Sequence, residues 1–153
     1  MQRITKDEYY LKIAKAVSSR STCLKRQYGC VIVNNDEIIA TGYNGSPRGE
    51  VNCCDLGICK RMDEPNNSGK YDECHSVHAE QNALISASRK DMIGGSIYLY
   101  GQETRKESLT ASSNFAIEQA LEIEAIPCPI CRRMLKNAGI KYFYNSEGVY
   151  VLN

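Results

Sequence analysis

Apolar positions along this chain recur with two periods, and the switches between those periods mark the elements. Tyr10, Ile13, Ala14 and Val17 repeat at helical spacing and predict an amphipathic helix running to about Arg20. Thr5, with Glu8 three residues on, supplies a capping box at its start. Ser18 to Lys25 is small and polar and reads as a loop carrying Cys23. Cys30-Val31-Ile32-Val33 and Glu37-Ile38-Ile39-Ala40-Thr41 are β-rich runs on either side of Asn34-Asn35-Asp36, which predicts a hairpin. Turn formers then crowd residues Gly42 to Gly49. A polar loop leaving a sheet is a usual place for ligand contacts.

From Glu50 to Cys74 no period is evident, and a loop of that length is usually functional or tied down by something. Helical spacing returns at Val77 and continues through Leu84, Ile85 and Ser88 until Gly94-Gly95 breaks it. Ile97 to Tyr100 reads as a short strand, Gln102 to Ser113 as a polar stretch, and Phe115 to Leu121 as a short helix. Pro127 stops what precedes it. Cys128 then fits a helix cap and Pro129 the first helical position, with Ile130, Met134 and Ala138 as the buried face and Gly139 at the C-terminal stop. Ile140–Tyr144 and Val149–Leu152 are two last strands; the tight turn between them implies that they run antiparallel. The alternation of strands and helices predicts an α/β protein, a three-layer α/β/α sandwich around a mixed five-stranded sheet. At 153 residues it forms a single domain, 1–153, with a cysteine-rich loop at about 50–75.

Composition changes this picture in two respects. Net charge is close to zero with both signs interspersed, so there is no electrostatic case for a membrane surface or for nucleic acid. No apolar run reaches transmembrane length, and Met1-Gln2-Arg3 leads into a charged stretch, not a signal-peptide core; a cytoplasmic protein is expected. Eight cysteines are many for such a chain. Where thiols stay reduced, that excess points to metal over the disulfide framework of a secreted protein.

The candidate chemistry sits in two stretches. His78-Ala79-Glu80 offers an imidazole with a carboxylate two residues on, and Pro127-Cys128-Pro129-Ile130-Cys131 offers two thiols three apart at a helix start. A zinc ion held by His78, Cys128 and Cys131 keeps one position open for water and lowers that water's pKa. The helix N-terminus supports the two thiolates. Glu80, unligated, is the expected general acid and base, although residues i and i+2 of a regular helix do not share a face. Taken alone, His78 reads as a structural histidine, and Cys128–Cys131 admits a redox pair, against which stand the intervening Pro129-Ile130 and the absence of a thioredoxin-like pattern. Taken together and in this order they match H-x-E…P-C-x-x-C, the known signature of zinc-dependent nucleobase deaminases.

The likeness extends beyond that motif. Arg20-Ser21-Thr22-Cys23, Gly42-Tyr43-Asn44-Gly45-Ser46-Pro47-Arg48-Gly49, His78-Ala79-Glu80-Gln81-Asn82-Ala83, Pro127 to Cys131 and Asn137-Ala138-Gly139-Ile140-Lys141 resemble deoxycytidylate (dCMP) deaminases. The resemblance implies a cytidine-deaminase-like fold and hydrolysis of dCMP to dUMP and ammonia, feeding dTTP synthesis. It implies that Asn44 contacts the deoxyribose and that the Ala79 backbone holds the base. Arg48 and Lys25 or Arg26 are the expected phosphate contacts, from their charge near this loop. It also implies a second, structural zinc on Cys23, Cys53, Cys59 and Cys74, with His75 as the substitute ligand; Cys30 and Cys54 are left as free thiols. Assembly as a dimer or hexamer, activation by dCTP and inhibition by dTTP, with Mg2+ accompanying the effector, are further implications. The tight final hairpin is closer to the cytidine deaminases, so a deaminase of cytidine, deoxycytidine or another base is the alternative enzyme. Editing of tRNA or single-stranded DNA fits less well without a basic stripe interleaved with aromatics. A non-catalytic zinc-stabilised protein on the same scaffold would have no chemical need for Glu80.

Overall fold

The protein, described from a computed structural model, is defined over residues 1–65, 68–107 and 117–152. The first helix, α1 (Lys6–Ser18), begins as its sequence dictates: Thr5 Oγ1 accepts from the Glu8 amide, and the Glu8 carboxylate accepts from the Thr5 amide at 2.8 Å. Tyr10, Ala14 and Ser18 form its most buried stripe, while Ile13 and Val17 pack beside it. Two strands follow, β1 (Arg26–Asn34) and β2 (Glu37–Tyr43), paired antiparallel. Asn35 and Asp36 both take positive φ, as the mirror-image two-residue hairpin turn requires.

After the turn-rich segment come a single helical turn, α2 (Cys53–Leu56), and a 3-10 turn at Tyr71–Glu73. The helix expected from Val77 to the glycine pair is two helices, α3 (Ala79–Ile85) and α4 (Arg89–Met92). Val77 is instead held in a β-bridge with Gly45, donating to its carbonyl at 2.8 Å, so the helix cannot begin before Ala79. Ser88 takes the extended N-cap position before α4, without a side-chain capping bond, where the helical spacing appeared continuous.

The largest departure lies beyond Tyr100. Strand β3 (Ser96–Glu107) is much longer than its apolar centre, and β4 (Ile117–Ile123) pairs antiparallel with its outer half, Gly101 opposite Ile123 and Glu107 opposite Ile117. The helix expected over Phe115–Leu121 is thus a strand from Ile117 onward; Phe115 lies outside the described residues, as do 108–113 of the polar stretch. A loose apolar spacing is resolved by the neighbour available, and here the open outer half of β3 supplies a complete ladder of partners.

Helix α5 (Pro129–Asn137) then crosses back to β5 (Tyr142–Asn145), which runs parallel to β3, and β6 (Gly148–Val151) returns antiparallel as the tight turn implied. Asn145 builds that turn: its Oδ1 accepts from the Glu147 and Gly148 amides, and its Nδ2 donates to the Ala125 carbonyl. The continuous order is β2-β1-β3-β5-β6, with β4 a sixth strand attached to β3. The sheet is mixed, as expected, with one strand more than the five read from the sequence.

Alternation along the strands divides the core. Val31, Val33, Tyr98 and Tyr100 meet α1 on one face. Cys30, Ile32, Ile97 and Leu99 meet Ala79, Ala83, Leu135 and Ala138 on the other. Burying one such large aliphatic side chain is worth about 1.5–3 kcal/mol. Helix α5 turns a different stripe inward from the one expected: Cys131 and Leu135 are buried with Ala138, while Ile130 and Met134 stay partly exposed. Gly139 follows at φ +86°, the left-handed stop predicted for it. Helix α3 lies unusually close to β2, because Gly42 has no side chain; a Cβ there would overlap the Ala79 carbonyl.

Candidate metal centre and pocket

Two helix starts converge on one point. His78 is the residue before α3, in extended conformation (φ −72°, ψ 155°), and Cys128 is the cap of α5, also extended (φ −62°, ψ 162°). Neither sits inside its helix, and this removes the objection to His78 and Glu80 acting together. The two-residue separation starts from an extended backbone, so the imidazole and the carboxylate need not obey helical spacing. The Gln81 side chain accepts from the His78 amide at 2.9 Å and fixes the entry to α3.

His78 Nδ1 lies 3.6 Å from Cys128 Sγ and 3.4 Å from Cys131 Sγ. The three donor atoms lie within 4.8 Å of one another, and no other group of three or more metal-ligating side chains closes so tightly among the described residues. The Cys131 amide donates to Cys128 Sγ at 3.4 Å, so an unpaired helix-start N–H supports the sulfur. The hydrogen bond from Cys131, with help from His78, holds the Cys128 thiol down at about 3. Its partner moves the other way: the neighbouring Cys128 sulfur, then burial, push Cys131 up. Contact with Cys128 raises His78, against the effect of burial. Three groups that share protons so closely are an imidazole–dithiol set ready to release them to a metal. One nitrogen and two sulfurs at a partly open pocket fit zinc with a free coordination position.

Glu80 is buried, 5% exposed, and still lines the pocket. Burial raises its carboxyl above the usual carboxylate range, opposed by its own amide and by His78. A carboxyl raised in this way is better suited than an ordinary carboxylate to take up a proton and return it.

The pocket in front of these groups is walled by β1 and the segment before it (Cys23, Lys25, Arg26, Tyr28), by Asn44 and Ala79, and by the cysteine-rich loop through Cys59, Arg61, Tyr71 and Cys74. Asn44 is almost wholly buried, and its side chain is already engaged. Its Oδ1 accepts from Ser21 Oγ at 2.7 Å and from the Tyr28 amide at 2.8 Å, while its Nδ2 donates to the Arg26 carbonyl at 2.9 Å. Ala79 has no exposed surface. Of the cations expected to meet phosphate, Lys25 and Arg26 line the pocket, whereas Arg48 is exposed and outside it. The chain reverses just after Ser46, with the Glu50 amide donating to Pro47, and this carries Arg48 outward.

The remaining thiols are arranged more loosely. Cys23, Cys53, Cys59 and Cys74 are half-buried, and the nearness of Cys59 and Cys74 contributes to raised thiol pKa values at Cys23 and Cys53, below the larger effect of burial. They do not form a closed cluster like that of His78. His75 Nε2 is 3.2 Å from Ser46 Oγ. Cys30 is fully buried on β1 and Cys54 is exposed, consistent with free thiols. Sequence reasoning passed over Tyr28, Arg61, Tyr71 and Ile126, all of which line the pocket. Arg61 and Tyr71 lie in the stretch without periodicity, where only their residue types could have drawn notice.

Comparison with known proteins agrees with this geometry. Residues 4–146 match the family model of the cytidine and deoxycytidylate deaminase zinc-binding region. Deoxycytidylate deaminase of Schizosaccharomyces pombe is 44% identical over 95 residues, which span 61% of this chain and 29% of that protein. The chain therefore matches less than a third of that relative's length. Deoxycytidylate deaminase of Mycobacterium phage D29 is 35% identical over 133 residues, covering 83% of this chain and 98% of the phage protein. The crystal structure of dCMP deaminase from cyanophage S-TIM5, in complex with dCMP and dUMP, superposes with a TM-score of 0.62 at 26% identity, covering 94% of this chain and 83% of that one. A buried glutamate beside one imidazole and two thiols, on this mixed sheet and with these relatives, places the chain in the cytidine and deoxycytidylate deaminase zinc-binding family.

Proposed function

We propose that this chain hydrolyses dCMP to dUMP and ammonia. The observation that carries the reading is the buried Glu80 carboxyl beside the His78–Cys128–Cys131 donor set, in a pocket also lined by the cations Lys25, Arg26 and Arg61. The relatives named for this reaction support the substrate. His78, Cys128 and Cys131 would hold the zinc. When bound, zinc supplies Lewis acidity that brings the pKa of water toward neutrality.

The chain's own groups do the rest. Glu80 takes a proton from the attacking water and gives it to the ring nitrogen of cytosine as oxygen adds to C4. It then takes the remaining proton from the oxygen added at C4 and delivers it to the amine, so the C4–N bond breaks, ammonia leaves and the C4 carbonyl of dUMP forms. Ala79, without exposed surface, walls the base and excludes water beside it. Asn44 fixes the backbone at Arg26 and Tyr28, and its Nδ2 has a second hydrogen to offer a sugar hydroxyl.

The same reading includes a second zinc on Cys23, Cys53, Cys59 and Cys74, supported by the mutual approach of these thiols, with His75 as the substitute. Family resemblance carries the remaining proposals: assembly as a dimer or hexamer, and control by dCTP and dTTP with Mg2+. Sedimentation, and rates measured with each nucleotide, test them. No described helix is long and apolar enough to cross a membrane.

Ammonia release from dCMP, deoxycytidine, CMP, dCTP and cytosine tests the central proposal. Preference for dCMP is expected; a zinc-loaded, folded protein inert toward all five overturns it.

A further inference from the structure

Three cations reach the pocket, and the structure treats them differently. Lys25 Nζ is committed to two backbone carbonyls of the cysteine-rich loop, those of Arg61 at 2.8 Å and of Glu64. Arg26 is paired with Glu103 through Nη2 at 3.3 Å, so part of its charge is already matched. Arg61 has no carboxylate within ion-pair distance among the described residues. Its Nη2 donates to Ser68 Oγ at 2.8 Å, its guanidinium lies 5.5 Å from the centre of the Tyr71 ring, and its Nε is buried without a hydrogen-bond partner among the described residues. Arg26 Nε is likewise buried and unpartnered among the described residues.

Buried N–H donors of a guanidinium are costly to leave unmade and are normally satisfied by protein, water or ligand. Arg61 lines the same pocket as His78 and Glu80. A held, planar guanidinium that lines the pocket and has no salt-bridge partner among the described residues is suited to a phosphate monoester, whose oxygens accept paired N–H bonds. We infer that Arg61, assisted by Arg26, binds the 5′-phosphate of the substrate and sets the preference for a nucleotide over a nucleoside. This rests on the proposed deamination of dCMP and identifies the group within that site which reads the phosphate. Lys25 is a positioning residue here: its ammonium ties the Arg61 backbone to the start of β1.

The test compares wild type with Arg61→Gln and Arg61→Lys on dCMP and deoxycytidine, with zinc content and thermal unfolding measured on each. Inorganic phosphate serves as a competing probe. Arg61→Gln is expected to raise KM for dCMP roughly tenfold to a hundredfold, with kcat less affected, to collapse the dCMP-to-deoxycytidine preference, and to weaken inhibition by phosphate. Arg61→Lys should recover part of each effect. If Arg61→Gln leaves the preference and the phosphate inhibition intact, or lowers both substrates equally while shifting the unfolding temperature, Arg61 only pins its loop and the inference is wrong. Wild type inactive on dCMP sinks the functional reading instead, so the two failures are distinct.

Discussion

The two groups of cysteines in this chain are held in opposite ways. Cys128 and Cys131 sit at the start of α5, which is packed on the sheet through Leu135 and Ala138, and they meet His78 at the start of α3. Their separation is fixed by secondary structure before any ligand arrives. Cys53, Cys59 and Cys74 hang on a segment with one helical turn and one 3-10 turn, exposing Val51, Leu56, Ile58 and Met62. Buried apolar area holds the first group together, whereas the second, among the described residues, is held by polar ties such as those of Lys25 and Arg61, by backbone hydrogen bonds and by whatever its thiols bind. A preorganised site gains affinity because its ordering cost is met by folding; a loose site must meet that cost from binding itself.

Substituting one thiol in each region breaks the comparison most severely. Cys131→Ser is expected to lose the catalytic zinc and all measurable turnover, whereas Cys59→Ser keeps that zinc, loses the second metal and leaves the loop open to proteolysis. Zinc stoichiometry and limited digestion read both; unchanged metal content in the Cys59 variant removes the second site. Next comes Glu80→Gln, which should retain zinc and lower kcat by about 10^2–10^4-fold. If zinc is lost instead, the carboxylate is a ligand.

Stability sharpens the contrast. Leu135→Ala, beneath the thiols, should cost about 2–5 kcal/mol in denaturant unfolding. Ile58→Ala in the loop, 65% exposed, should fall within about 0.5 kcal/mol of wild type. Equal losses would mean that the loop shares the core's cohesion.

The smallest effect lies remote from both regions. Tyr10 is buried and donates from its hydroxyl to Asp36 Oδ1 at 2.8 Å; burial, then that hydrogen bond, push it up to about 12. Unfolded tyrosine titrates near 10. The folded value is raised, so the stability contribution is complete below about pH 10 and is lost as pH climbs through 12. The loss is at most about 1.4 kcal/mol per unit of separation. Tyr10→Phe should flatten that alkaline decline; an unchanged slope in pH-dependent unfolding rejects the assignment.

Much of the framework was legible before the fold was known. The capping box at Thr5, the hairpin at Asn35-Asp36, the Cys128–Pro129 start of α5 and the Gly139 stop are local, each needing only neighbours within a few residues. The helix expected near Phe115–Leu121 failed because its fate depended on pairing with β3, the preceding strand, and not on its own spacing. The buried stripe of α5 was misjudged for a similar reason: Cys131 meets His78 just before α3, and Leu135 and Ala138 on the same side meet the core.

What the sequence determined by itself was the kind of chemistry: H-x-E and P-C-x-x-C name the donors and the acid, because coordination and proton transfer demand those side chains whatever surrounds them. Only the tertiary structure decided how they meet. It drew His78 out of the helix so that Glu80 could share its site, and used the Asn44 amide to pin β1. It also turned Arg48 away while placing Arg61 at the pocket. Those outcomes depend on contacts between distant segments, and the strength of such contacts is set by burial that no local pattern contains.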